Sequence, residues 1–164
     1  MKTIKFLILS IMLISFYNCE DDGPNLQDIQ SVTVEDLHAP QEGGQGQPIS
    51  GQFTKFDFET GSETNSETDW DIAFRGTSII VNGGISLGTN DEPERTGDAG
   101  VYIFNGTMAE MVVVDTSLIT QDSSEGYAIA SGSGNGWYTY TGPPTYLISP
   151  TPGKILVFRT RDGK

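Results

Sequence analysis

Apolar and polar residues alternate most regularly in residues 68–84, TDWDIAFRGTSIIVNGG. Trp70, Ile72 and Phe74 recur at every second position, which is the period of a β-strand with one buried face. A glycine interrupts this pattern, and a second β-rich run over residues 77–82 ends at a Gly-Gly pair. The sequence therefore predicts two neighbouring strands, with Trp70 at the centre of a β core.

The rest of the folded region shows short strand patterns. Phe56 and Phe58 alternate with polar residues and predict a half-buried strand. Further strands are predicted over residues 85–87, 100–104, 110–115, 126–130, 136–141, 145–149 and 154–160. No stretch of ten or more residues has a helical period, and the 20 glycines and eight prolines indicate frequent turns. We predict an all-β fold of many short, mostly antiparallel strands.

The composition divides the chain into three parts. An apolar run of about a dozen residues near the N-terminus is too short to span ~30 Å of hydrocarbon, but it has the length of a signal-peptide core. The next segment is polar and rich in Gln, Gly and Pro, as flexible linkers are, although residues 29–37 could pair as an edge strand. We predict a signal peptide over residues 1–18, a linker over 19–50 and a folded domain over 51–164.

Cys19, the only cysteine, directly follows the apolar run, and a single cysteine cannot form an internal disulfide. Cleavage before Cys19 and lipid on its thiol would make the chain a lipoprotein. Ordinary secretion or an uncleaved anchor is the alternative, because Phe16, Tyr17 and Asn18 replace the small residues usually found there. The acidic run after Cys19 is similar to the export tag of surface-exposed lipoproteins. We expect the lipid on Cys19 to be the only membrane contact and the location to be the outer-membrane surface.

The end of the sequence also carries a prediction. Residues 155–160 form a strongly apolar strand, and the RDGK that follows is typical of a hairpin turn. A turn without a returning strand leaves an open edge. We therefore expect the natural protein to continue past Lys164 with a further strand.

Charge and residue inventory bear on the function class. The net charge of −13 argues against nucleic acid or an anionic membrane surface as a partner. The only histidine, His38, lies in the predicted linker, so the domain has no Ser/His/Asp or Cys/His set. Asp69 and Asp71 flank Trp70 and are the candidates for carboxylate catalysis; we interpret them as an outward-facing, solvated pair. We expect a protein without enzymatic activity.

The motif WDIAFRG, followed by a β run ending in VNGG, resembles the HmuY family of bacterial haem-binding surface lipoproteins. The resemblance covers roughly residues 53–164, and the strand GWYTY with the residues after it also carries it. It implies an HmuY-like single domain and a monomer. It also implies that the protein binds haem outside the cell and passes it to an outer-membrane haem transporter.

In that family the haem lies in a cleft at one end of the β fold and is gripped by ligands on two flexible loops. One loop follows the Gly-Trp strand; where the best-known member has a histidine there, this chain has Thr141 and Gly142. The other loop corresponds to the segment between Met111 and Tyr127. Thioethers and phenols can also ligate haem iron. The resemblance therefore implies that the haem contacts include Met111 as axial ligand, together with Met108, Tyr138 and Tyr140.

Each of these assignments has an alternative. Met111 could fill the core from a strand, and the two tyrosines could pack against neighbouring strands. At the level of function, the alternative is a non-catalytic surface lipoprotein of the same fold that binds a glycan or a protein instead of haem.

Overall fold

The computed structural model describes residues 31–164. The predicted signal peptide, Cys19 and the first part of the predicted linker lie outside the described residues. Within Val32–Lys164, which form one compact unit, the regular elements are ten strands and a single 3-10 turn at Thr116–Leu118. The strands are β1 (Glu42–Gly44), β2 (Gln47–Ser50), β3 (Thr54–Asp57), β4 (Ser62–Thr64), β5 (Ile72–Arg75), β6 (Ser78–Val81), β7 (Gly100–Asn105), β8 (Tyr138–Tyr140), β9 (Ile148–Pro150) and β10 (Lys154–Arg159). The all-β prediction is confirmed, and no helix in the described part is long and apolar enough to cross a membrane.

Four strands form the central antiparallel sheet, in the order β4-β3-β5-β6. Phe56 on β3 lies opposite Ile72 on β5, which in turn lies opposite Val81 on β6. The three side chains are buried and form one core cluster with Val101 and Ile129. The two strands predicted around the TDWDIAFRGTSIIVNGG stretch are therefore present, and they pair with each other.

A second cluster packs around Trp70, which is completely buried. It contains Phe53, Ala73 and Ile80, with Tyr127 against its side. The strand itself begins only at Ile72, so Trp70 precedes it. Ile72 belongs to the first cluster and the next residue, Ala73, to the second, so both faces of β5 are buried. The expectation of one buried and one solvated face is therefore wrong for this strand.

Asp71 corrects the sequence interpretation most clearly. It is 1% exposed, although it was expected to be solvated together with Asp69. Its carboxylate accepts hydrogen bonds from the N–H of Phe58 at 2.7 Å and the N–H of Arg161 at 2.6 Å, and the Arg161 guanidinium lies 3.2 Å away. The physical reason is that backbone N–H groups that are partly withdrawn from water need acceptors. Asp71 thus joins the end of β3 to the C-terminal segment, whereas Asp69 is exposed.

The strongly apolar strand near the end of the chain is β10, and it has a partner. It pairs with β7 along six residues, from Lys154 opposite Asn105 to Arg159 opposite Gly100. Val157 is its buried residue. The pairing with β7 supplies this strand with one neighbour from earlier in the chain.

Close packing, and not only the turn, requires glycine at both positions of the Gly-Gly pair after β6. A Cβ on Gly83 would lie 1.9 Å from the carbonyl oxygen of Ala99, and one on Gly84 would lie 2.0 Å from that of Asp122. Gly84 also has a φ of +84°. Only glycine permits such close backbone approach together with a positive φ. The pair therefore fixes the segments around Ala99 and Asp122 against β6.

The predicted linker and its neighbour differ from expectation in three places. β1 and β2 pair as a hairpin inside the segment predicted as linker. Residues 31–37 have no regular structure, so the described part of the predicted edge strand over 29–37 is not a strand. β4 forms within the loop GSETNSETD, because β3 offers it a partner edge that a sequence pattern does not reveal.

Three predicted strands are absent. Residues 85–87 and 126–130 belong to no strand, although single bridges join Gly84 to Asp122 and Ser123 to Gly126. Residues 110–115 are not a strand either. There the Glu110 carboxylate closes a turn onto Thr107, and the following valines are exposed. A run of apolar β-formers gives a strand only where a partner edge is available.

Candidate ligand-binding site

The two tyrosines predicted as haem contacts lie on the hairpin of β8 and β9. Tyr138 is opposite Pro150, and Tyr140 is opposite Ile148. The ring of the half-buried Tyr138 lies 5.2 Å from that of Trp137, and its hydroxyl accepts a hydrogen bond from Thr77 at 3.3 Å. Tyr140 is 42% exposed. Packing therefore holds Tyr138 in place, while Tyr140 presents its ring to solvent.

The loop joining these strands, residues 141–147, is closed by its own hydrogen bonds. The N–H of Tyr146 donates to the carbonyl of Gly142 at 2.8 Å, and that of Leu147 donates to the Thr141 hydroxyl at 3.0 Å. The hydroxyls of Thr141 and Thr145 are 2.6 Å apart. Tyr146 and Leu147 are nevertheless more than half exposed. A loop with its polar groups bonded internally and its largest apolar side chains in water is typical of a binding loop.

The two methionines lie in the segment that follows β7. Glu110 accepts hydrogen bonds from the N–H and hydroxyl of Thr107 at 2.7 and 2.9 Å. These bonds hold the pKa of the Glu110 carboxyl below its usual value. Met108 lies inside this turn and is 68% exposed, whereas Met111, directly after it, is half-buried. The turn therefore presents one thioether fully to solvent and the other in part.

Three consecutive valines continue this segment in the open. Val112 and Val113 are 88% and 81% exposed, and Val114 is 48% exposed. The chain returns to the body of the protein at Asp115, whose N–H donates to the Tyr102 hydroxyl at 3.3 Å. No strand forms here, so the alternative in which Met111 fills the core from a strand does not describe this segment.

Exposed apolar side chains concentrate in these two segments. Among the described residues, 14 large hydrophobic side chains are exposed, and nine of them lie in residues 108–118 and 140–148. The nine are Met108, Val112, Val113, Val114, Leu118, Tyr140, Tyr146, Leu147 and Ile148. Exposed apolar side chains in such number are candidates for contact with a ligand or a partner. The tyrosine pair and the methionine pair predicted from the sequence lie in or beside these segments.

One turn holds the base of both segments. The N–H of Gly106 donates to the carbonyl of Gly153 at 2.9 Å, and the N–H of Thr151 donates to the carbonyl of Trp137 at 2.8 Å. The turn over residues 151–153 joins β9 to β10 and so anchors the start of the methionine segment and the start of β8. We call residues 106–118 and 138–148 together the open region.

The side chains of the open region match haem in their chemistry. Met108 and Met111 carry thioethers, and Tyr138 and Tyr140 carry phenols, and both groups occur as axial ligands of haem iron. The one histidine, His38, lies outside the open region; its backbone carbonyl accepts a hydrogen bond from Thr54 at 2.7 Å. Within residues 31–164, no three His, Cys, Asp or Glu side chains are grouped to hold a metal ion.

Comparison with known proteins does not assign the chain to a family. No protein-family model matches the chain, and no curated protein matches it. The HmuY resemblance therefore rests on the motifs WDIAFRG, VNGG and GWYTY.

An apolar depression of about 360 Å³ lies beside Trp137 and was not predicted. It is lined by Val34, Leu37, Ala39, Phe74, Gly76, Ile79 and Trp137. The sequence analysis named Tyr138 and Tyr140 of the GWYTY strand but not Trp137, and the opposite wall comes from residues that it placed in the linker. Hydrogen bonds from Gly76 to the Ala39 carbonyl and from Thr54 to the His38 carbonyl hold that wall in place.

A buried ionic cluster also escaped the sequence analysis. The Arg95 guanidinium lies 2.7 Å from Glu92 and 2.8 Å from Asp122, and all three side chains are at most 2% exposed. Burial raises the pKa of Asp122. Burial acts on Glu92 in the same direction, but hydrogen bonds from Thr89 and Leu87 outweigh it and leave the pKa of Glu92 lowered. The cluster fixes the loop around Glu92 to the segment around Asp122.

Proposed function

We propose that the chain is an extracellular haem-binding protein that takes part in haem acquisition, and that the open region is its haem site. The observation that carries the proposal is the concentration of exposed apolar side chains in the two segments where the HmuY resemblance expects ligand loops. Haem is a large apolar plate with a metal at its centre, so it needs apolar walls and at least one axial donor. The open region offers both.

The apolar side chains and the axial ligand contribute to haem binding in different ways. Burial of the macrocycle against the exposed aromatic and aliphatic side chains supplies most of the affinity, at ~25 cal/mol per Å² of apolar area removed from water. Met111 acts as axial ligand, and Met108, Tyr138 and Tyr140 contact the ring. A thioether is a soft ligand and prefers the softer Fe(II). Binding is therefore stronger for reduced than for oxidised haem.

The test is a haemin titration of residues 20–164, followed by reduction with dithionite. We expect a shifted Soret band that sharpens on reduction and is lost in Met111→Ala. Met108→Ala is the matched comparison, because it removes the same thioether three residues away; loss of the band in that variant alone would move the axial ligand to Met108. If wild type shifts the Soret band no more than an unrelated acidic protein does, the haem proposal fails.

Substitutions at two valines distinguish specific haemin binding from non-specific adsorption to the protein surface. Val113 and Val32 are 81% and 68% exposed, but only Val113 lies in the open region. We expect Val113→Ser to weaken haemin binding several-fold and Val32→Ser to leave it unchanged. Equal effects of the two substitutions would show that haemin adsorbs to exposed apolar side chains without a specific site.

We further propose that the protein is a lipoprotein anchored through Cys19 at the outer-membrane surface and that it delivers haem to an outer-membrane transporter. The support is the apolar run before Cys19 and the acidic run after it. Metabolic labelling with a clickable fatty acid should mark wild type and not Cys19→Ala. A label that survives in the variant would exclude this anchor.

A second candidate function shares the site but not the ligand. The described part of the chain after His38 contains no histidine, and this favours a non-catalytic surface module that uses the open region to bind a protein or a glycan. The haemin titration distinguishes the two, because only the haem-binding protein produces an axial-ligand spectrum that depends on Met111 or Met108.

A further inference from the structure

A polar groove lies along β3 and β4 and is separate in residue content from the open region. One depression of about 420 Å³ is lined by residues of β3, β4 and the loop after β4. A second, of about 270 Å³, is bounded by the loop around Asp91. The two share Gln52, Phe53, Lys55 and Glu67, so they adjoin and form one groove. Together they are within the size range of small-molecule sites, roughly 300–1,000 Å³.

The charged side chains of the groove are mostly paired within the protein. Lys55 lies 2.9 Å from Glu67 and also donates to the carbonyl of Ser66. The Asp91 carboxylate accepts the N–H of Gly51 at 3.0 Å, and Glu92 is bound to Arg95 with its side chain 1% exposed. These pairings leave no cation available to recognise an anionic ligand among the residues that line the groove.

Three polar side chains of the groove have no such partners. Gln52, Glu63 and Asn65 are exposed and line the groove. Their side chains make no hydrogen bond or ion pair with any other residue in the 31–164 range. Two primary amides and a carboxylate therefore remain to bind a ligand. An amide both donates and accepts hydrogen bonds, while a carboxylate accepts only.

We propose that this groove binds a neutral carbohydrate. Sugar hydroxyls donate and accept at once, so they match the amides of Gln52 and Asn65 and can donate to the carboxylate of Glu63. A phosphorylated or sulfated ligand would place its charge against Glu63 and Glu67, which is unfavourable. The ligand class follows from the unpaired groups, and the site does not depend on the haem proposal.

The test is saturation-transfer NMR and calorimetry on the full chain as purified, with maltohexaose, cellohexaose, xylohexaose and N-acetylchitohexaose as neutral probes. The fully deacetylated chitosan hexamer is the cationic counterpart of the last of these. We expect at least one neutral hexasaccharide to bind.

A double variant assigns the binding to the groove. Gln52→Ala with Asn65→Ala should lower the affinity for the bound hexasaccharide about tenfold, because the ligand loses hydrogen bonds to two side chains. Asn105→Ala, an exposed amide outside the groove, should have no effect, and the double variant should titrate haemin as wild type does. The proposal is overturned if no neutral probe binds, if only the chitosan hexamer binds, or if the double variant binds as tightly as wild type.

Discussion

Two isoleucines on antiparallel strand pairs show how differently two regions of this protein use the same residue. Ile80 on β6 lies opposite Ala73 and is completely buried, whereas Ile148 on β9 lies opposite Tyr140 and is 47% exposed. Both strands have a partner, so pairing alone does not separate them. The difference is that further chain segments cover the central sheet, while the β8–β9 hairpin keeps an apolar surface uncovered. A surface of that kind is what a ligand would cover.

The polar groups of the two regions differ in the same sense. Next to the central sheet, the Asp71 carboxylate accepts hydrogen bonds from part-buried N–H groups of two distant segments, and so it joins those segments. In the open region the Glu110 carboxylate accepts a hydrogen bond from Thr107, three residues away, and so it stabilises only its own turn. The sheet is therefore stabilised across the chain, whereas the open region is built from locally closed loops. Local closure leaves their apolar side chains available.

The isoleucine pair should show the greatest change in stability. Ile80→Ala should lower the free energy of unfolding by about 3–4 kcal/mol, because it removes a fully buried side chain and leaves a cavity. Ile148→Ala should lower it by less than about 0.5 kcal/mol, as surface substitutions usually do. Urea unfolding followed by circular dichroism measures both. Equal losses would contradict the contrast between a covered and an uncovered strand pair.

The aspartate pair comes next. Asp71→Ala should cost about 3 kcal/mol of unfolding free energy, because it leaves two part-buried N–H donors and the Arg161 guanidinium without their acceptor. Asp69→Ala, two residues earlier and exposed, should cost under about 1 kcal/mol. Thermal and urea unfolding of the two variants decide the matter. Similar stabilities would restore the interpretation of both acids as a solvated pair.

The smallest effect concerns pH in the open region. Hydrogen bonds from Thr107 lower the pKa of Glu110 in the folded protein, so its contribution to the turn is complete above the ordinary value of 4.5 and is lost as pH falls through the lowered folded value. The amide resonance of Thr107, followed by NMR across an acid titration, should show a midpoint below 4.5. Glu110→Gln should remove that titration. A midpoint at or above the ordinary value would show that the turn is not closed in solution.

The lack of a helical period, the frequent turn residues and the short strand patterns were enough to predict the all-β fold, and the alternation around Trp70 predicted β5 and β6 as neighbouring strands. The polar residues of the same stretch were not predictable. Asp71 is buried only because Phe58 and Arg161, 13 and 90 residues away in sequence, bring donors to it. Contacts at such separation leave no mark on local periodicity.

The open region was predicted in part. The resemblance indicated the two methionines and the two tyrosines, but the sequence pattern predicted a strand over residues 110–115. Val112–Val114 have high β-propensity, and propensity is overridden where no neighbouring strand offers its edge. The same limit explains the hairpin of β1 and β2, which a polar Gln-, Gly- and Pro-rich composition concealed.

Amide hydrogen exchange of the full chain, with and without haemin, locates the haem site. We expect haemin to add protection in residues 106–118 and 138–148, while amides of β3, β5 and β6 keep the protection that they already have. Protection that appears instead around the apolar depression beside Trp137, over residues 34–39 and 76–79, would contradict the assignment of the site. No change in any region would contradict haem binding itself.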